Sequence, residues 1–380
     1  MVNMADIDAV EEWLIGQALG SAHFPDMIGE MCIRLRDCGV PVDRMMLAWS
    51  TLHPLIEAEM VFWEVGEQAQ HEQFEHKEED SENWLSSPMR WVLVNNEPML
   101  RRRLNNANSD FDFPLCRELA ETGYSDYLVL ATYFDTPALS DMRGKTGILV
   151  SWATRAPDGF SDSALAAIRY IQKRLALAAR ATLETQITRT IAETYLGVRA
   201  GNSVLNGQIR HGDGETIEAV IFYSDMRNST AIAEDLGPDL YLKWLNTYFE
   251  ATAGPVLKEG GEILDFIGDA VLGVFPISDM GLNGAIRKAL SATDEARRRL
   301  NRINRDTGTR HNLKVGIALS IGEVMFGNIG VSNRLSFSVI GQTVHAAARI
   351  ETLTKAVGAE TLMTEDIAVH VPERQQSVGA

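Results

Sequence analysis

Cysteine is scarce in this 380-residue sequence: Cys32, Cys38 and Cys116 are the whole complement. An odd number without a CxxC pair argues against a disulfide framework and against a structural zinc site, and is the pattern of buried thiols. Long apolar runs are missing too, none reaching the ~20 residues of a membrane-spanning helix. The opening "MVNMADIDAVEEW" lacks the basic start and apolar core of a secretion signal. These absences predict a cytoplasmic protein with no membrane partner. Positive charge is in deficit, with 35 Lys and Arg against 52 Asp and Glu and a formal net charge of -17. Such a balance repels phosphate backbones, so nucleic acid is not expected as a partner. Arg101, Arg102 and Arg103 form a triplet, but no aromatics interleave it. No low-complexity tract or internal repeat is visible. The apolar fraction of 45% and charged fraction of 23% are those of an ordinary globular chain.

What is present divides into three stretches. Residues 1–160 mix helical segments with the strand-like runs "RMMLAWS" (44–50), "EAEMVFWE" (57–64), "YLVLATYF" (127–134) and "GILVSWAT" (147–154). They predict an α+β sensor or regulatory domain around an antiparallel sheet. Six of the seven tryptophans, Trp13, Trp49, Trp63, Trp84, Trp91 and Trp152, fall here. Large aromatics dominate core burial, so a core role is expected ahead of a ligand pocket. "HEQFEHKEED" (71–80) has no recognised metal-ligand spacing and reads as a solvated loop or helix face.

Residues 161–215 read as a helical linker. Ser161 is a candidate N-cap, and Pro and Gly are absent from there to Leu196. Ile168, Ile171, Leu175, Leu183, Ile187 and Ile191 recur at helical spacing. A stripe of that length must pack on adjoining domains or pair with a second copy, and a dimerising connector is the expectation. Residues 216–380 form a second α/β unit. It contains the strand "EAVIFYSD" (218–225), the helix "PDLYLKWLNTYFEAT" (238–252), the helix "AIRKALSATDEARRRL" (285–300), two strands, "LKVGIALS" (313–320) and "GEVMFGN" (322–328), and the helix "TVHAAARIETLTKAV" (343–357).

The chemistry centres on "EILDFIGDAVLGVF" (262–275), an apolar hairpin that carries two acids. Alternation puts Ile263, Asp265 and Ile267 on one side of its first strand. Gly268 permits a tight turn, with Asp269 at its tip. Asp225 sits where the apolar strand "AVIFY" gives out. Gly-Asp is a common hairpin tip and a strand-terminal Asp often caps a helix, so either acid alone is ordinary. Together at one sheet edge they would need neutralising, and Mg²⁺ takes one or two carboxylates plus substrate phosphates. "SDMRNST" (224–230) follows the first acid as a strand-to-helix turn whose free N–H groups suit phosphate.

In order and spacing, "VIFYSDMRNST", "GGEILDFIGDAVLGVF", "GIALSIGEVMFGNIG" and "IGQTVHAAARIE" resemble the class III nucleotidyl cyclases over roughly residues 204–360. "YLGVRAGNSVLNGQIRHGDGE" (195–215) is similar to the segment that joins bacterial sensors to such domains. The resemblance implies a ferredoxin-like catalytic domain, a head-to-tail homodimer with active sites at the interface, and cyclisation of a nucleoside triphosphate. Asp225 and Asp269 match the metal-binding acids, with the Met226 carbonyl a further ligand, for two Mg²⁺ or Mn²⁺ ions per site. Arg349 matches the arginine that steadies the reacting phosphorus from the opposite subunit. Asn228, Ser229 and Thr230 fall in the substrate-binding turn. The first domain resembles the GAF or PAS class, with an effector that the sequence does not identify.

Departures from the pattern bear on specificity. Asp265 stands where adenylate cyclases usually place lysine and guanylate cyclases glutamate. Ser338 stands where the adenylate type carries Asp or Thr, and His345 replaces the ribose-orienting asparagine. An ionised carboxylate only accepts hydrogen bonds, so Asp265 favours guanine while the family at large favours ATP. ATP is expected ahead of GTP. The alternatives are a catalytically silent nucleotide-binding module, or a cyclase of altered GTP or pyrimidine specificity. The family's closing strands and triphosphate-binding lysine are not found before "ERQQSVGA", so truncation or a missing contact is expected there.

Overall fold

Alternating burial builds the first sheet. In β1 (Arg44–Ser50), Met45, Leu47 and Trp49 are buried between less buried neighbours, the period-2 pattern of a strand with one face on a core. A computed structural model describes the chain except residues 1, 21–22, 78, 106–110, 135–145, 307–311, 332 and 375–380. It separates into two units, Met1–Ile191 and Ala192–Ala380, both mixed α and β. No helix among the described residues is long and apolar enough to cross a membrane.

The first unit adds β2 (Ile56–Glu64), β3 (Gln70–Glu75), β4 (Met99–Arg103), β5 (Asp126–Phe134) and β6 (Thr146–Thr154). The sheet order is β3-β2-β1-β6-β5-β4, antiparallel throughout. One face carries a core shared with the helices Met4–Leu19, Phe24–Asp37 and Asp162–Leu196. The other packs under the helices Pro88–Asn95 and Pro114–Glu121. Trp49, Trp63 and Trp152 are core residues, whereas Trp91 is exposed. The start of 71–80, read as a loop or helix face, is instead the exposed edge strand β3, held by pairing with β2, where His71 bonds Glu59 at 3.0 Å. Among the described residues no group of three or more His, Cys, Asp or Glu is placed to hold a metal.

Ser161 accepts from the Ala164 N–H at 3.2 Å and opens the helix Asp162–Leu196, which ends before Gly197 at φ +83°. Its stripe is mostly covered within its own unit. Ile168, Ile171, Leu175 and Leu183 lie in the first core, and exposure begins only with the last turns, at Ile191. Most of the apolar surface expected to pair helices is therefore already buried, and pairing through it can involve only the C-terminal turns.

The second unit comprises β7 (Gly214–Met226), β8 (Glu262–Ile267), β9 (Ala270–Pro276), β10 (Val315–Val331), β11 (Arg334–Ile340) and β12 (Thr361–Met363). The order is β11-β10-β7-β9-β8, with β12 parallel beside β10. The helices Pro238–Lys258 and Leu282–Asp306 cover one face. The opposite face packs against Ala200 of Val198–Leu205 and Ala347 of Gln342–Val357. Arg199 ties the segment before the sheet to it, bonding Glu262 at 3.0 Å and Asp279 at 2.7 Å.

Two sequence expectations change here. The strands read at 313–320 and 322–328 are one strand, which begins at Val315, because Ile321 and Gly322 stay paired with Val220 and Ala219 without a break. Gly322 marks a close approach: a Cβ there would stand 2.7 Å from Thr343 Oγ1. In β8 the register shifts between Ile263, opposite Gly273, and Asp265, opposite Leu272. This bulge at Leu264 puts Ile263 and Asp265 on opposite faces, where unbroken alternation would have paired them.

Candidate active site

The site is built at the end of the two central strands. β7 runs apolar through Val220 and Phe222 into the core and reaches Asp225 at its penultimate position. Asp225 lies opposite Ala270, the first residue of β9. Gly268 takes φ +68° between β8 and β9, a conformation glycine adopts without steric cost. The tight turn it allows sets Asp269 immediately before Ala270. Strand register therefore brings together two acids that stand 44 positions apart (269 − 225), and their side chains are within hydrogen-bonding reach. Burial, the Asp269 charge and then the Glu351 charge push the Asp225 carboxyl up to about 6, and only Arg227 opposes them. The neighbouring charge raises the cost of ionising Asp225, and a bound cation would relieve it.

The Met226 side chain is buried in the core, which leaves its backbone carbonyl as the oxygen it can offer. Asn228 adopts φ +60° and opens the helix Ser229–Leu236. Ser229 and Thr230 occupy its first turn, where backbone N–H groups lack intrahelical partners. Two carboxylates, a carbonyl and these N–H groups are a donor set that fits divalent cations carrying phosphate oxygens.

The remaining predicted residues lie elsewhere in the unit. Asp265 is on β8, and Ser338 is on β11 opposite Gly327. These are the two outer strands of the sheet order, yet they also touch one another. His345 and Arg349 are exposed, one turn apart on Gln342–Val357. Glu351, about 200° round the same helix from Arg349, is the residue that turns toward the acid pair. Arg349 is exposed on the side of the helix opposite Glu351. The final residues, 375–380, lie outside the described residues.

Three participants escaped the sequence reading. Glu351 is nearly fully buried and pairs with Arg227 Nη1 at 3.2 Å. Its carboxyl is raised, chiefly by burial, with Arg227 and Thr354 opposing. Thr354 completes the group by accepting from Arg227 Nη2. The signal was available: Val344, Ala347, Glu351 and Thr354 share one helical stripe, and a charge inside a buried stripe requires a partner. Beneath the acids, the buried Tyr248 hydroxyl donates to Ser224 at 3.2 Å.

The family model of the adenylate and guanylate cyclase catalytic domain matches residues 214–374. The chain is 28% identical over 192 residues to the terminal-differentiation specific adenylate cyclase of Dictyostelium discoideum, covering 50% of this chain and 9% of that protein. It is 30% identical over 185 residues to an adenylate cyclase of Anabaena cylindrica, covering 47% of this chain and 35% of that protein. The chain thus spans little more than a third of the second relative and a small fraction of the first. A solved bacterial light-regulated adenylyl cyclase aligns at 24% identity and a TM-score of 0.44, over 55% of this chain and 58% of that one. With the strand-end acid, the Gly268 turn and the helix Gln342–Val357 inside the matched span, the second unit of this chain carries a class III nucleotidyl cyclase catalytic domain.

Proposed function

We propose that the protein converts a purine nucleoside triphosphate, ATP ahead of GTP, to its 3′,5′-cyclic monophosphate and pyrophosphate. The observation that carries this reading is the convergence of Asp225 and Asp269, half-buried and poorly compensated, beside a helix N-terminus. When bound, two Mg²⁺ or Mn²⁺ ions would lower the pKa of the 3′-hydroxyl and neutralise the triphosphate. Asp225, Asp269 and the Met226 carbonyl would hold them. Asn228, Ser229 and Thr230 would orient phosphate oxygens through the helix N-terminus. The attack is intramolecular, so the chain's task is to position groups and offset charge.

Because Arg349 and His345 are exposed, with Arg349 on the side of its helix opposite Glu351, a head-to-tail homodimer would supply them from the second copy. Arg349 would donate to the phosphorus-bound oxygens as charge develops, and His345 would donate to the ribose. Asp265 and Ser338 would contact the base. The six-stranded antiparallel sheet of the first unit, with helices on both faces, supports a GAF- or PAS-like sensor that regulates turnover in response to an effector. Supply of nucleoside triphosphate suits a cytoplasmic setting.

GTP is the second reading, favoured by Asp265, whose carboxylate can accept from the N–H edge of guanine. Incubation with Mn²⁺ and each of the four nucleoside triphosphates, followed by chromatography, tests both. Cyclic AMP as the main product is expected, and Asp265→Lys should shift the product ratio further toward it. Four blank traces from folded dimer would overturn the enzymatic reading, and an unchanged ratio in Asp265→Lys would remove Asp265 from the base contact.

A further inference from the structure

One helix carries different residues on its two sides. On Gln342–Val357, His345 and Arg349 are exposed, whereas Ala347, Glu351 and Thr354 are buried. The buried side is fastened to the turn that follows Asp225. Arg227 meets Glu351 Oε1 at 3.2 Å, donates to the Thr354 hydroxyl, and donates its own backbone N–H to the Lys314 carbonyl at 2.8 Å. Thr354 Oγ1 also donates to the Glu351 carbonyl at 2.5 Å. The space for this cluster is made by Gly316, which lies directly opposite Asp225 on β10. A Cβ at 316 would stand 2.6 Å from Thr354 Oγ1 and closer still to Glu351 Oε1. A side chain there would have to displace the Glu351 carboxyl, the Arg227 guanidinium and the Thr354 hydroxyl from their present places.

We infer that Arg227 and Glu351 are positioning residues that make one rigid helix serve two active sites. Its buried side fixes the turn that follows Asp225 of its own subunit, and its exposed side delivers Arg349 to the site of the other subunit. The inference rests on the interfacial site proposed above. Neither residue need touch substrate: Arg227 follows Asp225 by two positions and holds the strand end in place, while Glu351 precedes no reacting group and anchors the helix. A pair that is nearly buried transmits displacement because breaking it strands a charge in a low-dielectric setting.

Mixed dimers separate the two tasks. A subunit with Asp269→Ala keeps Arg349, and a subunit with Arg349→Ala keeps the acids, so their mixed dimer holds one complete site. Glu351→Gln added to the subunit that keeps the acids should lower kcat by about 10-fold or more, with little change in KM for nucleotide. It should also raise the Mn²⁺ concentration needed for half-maximal rate. Added instead to the subunit that donates Arg349, it should lower kcat while leaving the Mn²⁺ requirement where it was. Thr354→Val, which removes only the hydroxyl behind Arg227, should give the same two signatures in smaller measure from a dimer of near-parental thermal stability. That variant keeps the test valid if Glu351→Gln folds poorly. Unchanged kcat from the arginine-donating placement, or an unmoved Mn²⁺ requirement from the acid-bearing one, would overturn the inference. A mixed parent that stays inactive while the unmodified homodimer turns over would instead sink the interfacial site, and the inference with it.

Discussion

Asp126 in the first unit and Asp225 in the second are both carboxylates at strand ends, and their surroundings differ in kind. Asp126 is fully buried and fully answered. Arg101 bonds it through Nη2 at 2.6 Å and Nε at 3.1 Å, the Phe160 N–H donates at 2.9 Å, and Arg103 lies 3.8 Å away. Asp225 is half-buried and faces a second carboxylate, with Arg227 as its only cationic counterweight among the described residues. A buried acid with its partners complete is a structural fastener. One left short of positive charge marks a place where a cation belongs. The same contrast explains the arginine triplet: Arg101 and Arg103 serve Asp126, and Arg102 bonds Asp112 at 2.5 Å, so the basic run is spent inside its own unit.

If this contrast holds, the two acids must fail differently. Asp269→Ala should bring cyclic nucleotide formation below detection, a loss of about 10³-fold or more, while light scattering still reports the parental dimer. Substantial residual activity would show that the acid pair is not the metal site. Asp126→Ala should act on stability instead, costing about 3 kcal/mol in urea unfolding because it leaves Arg101 without its buried partner. A cost below ~1 kcal/mol would place Asp126 among the dispensable surface pairs.

The smallest effect is a pH dependence without divalent cation. Asp225 holds its proton more tightly folded, at about 6, than the ordinary 3.8 of the unfolded chain. Its contribution to stability is therefore complete below about pH 4 and is lost as pH rises through about 6. Thermal unfolding of the metal-free protein should fall in midpoint between those limits, and Mn²⁺ should raise the midpoint more at pH 7.5 than at pH 5. Asp269→Asn should flatten the pH trend and remove the Mn²⁺ increment. An increment that persists in that variant would mean the ion binds elsewhere.

Much of this architecture was legible in the sequence, for local reasons. β1, β2, β5 and β6 announce themselves through apolar and β-branched runs, and their observed bounds differ from the read ones by no more than a residue. The long helix is bracketed by Ser161 and Gly197 because a cap and a positive φ are local facts. β4 escaped because "MLRRR" shows no apolar alternation; its arginines are satisfied by distant acids. β10 was split at Gly322 because a glycine forced by Thr343 looks, in one dimension, like a turn. The bulge at Leu264 is equally invisible, since register is a property of two strands. Asp225 and Asp269 could be named from their positions, but Glu351 could not be given its place without the fold. Its relation to Asp225 depends on Gly316 leaving room across the sheet.

The central claim is that Asp225 and Asp269 jointly hold divalent ions against a nucleotide's phosphates. Electron paramagnetic resonance titration of Mn²⁺ into the dimer, with a triphosphate whose 3′-hydroxyl has been removed, tests it without relying on turnover. The account predicts two tightly held ions per site, with loss of both in the Asp225→Asn, Asp269→Asn double variant. An unchanged stoichiometry and affinity in that variant would contradict it.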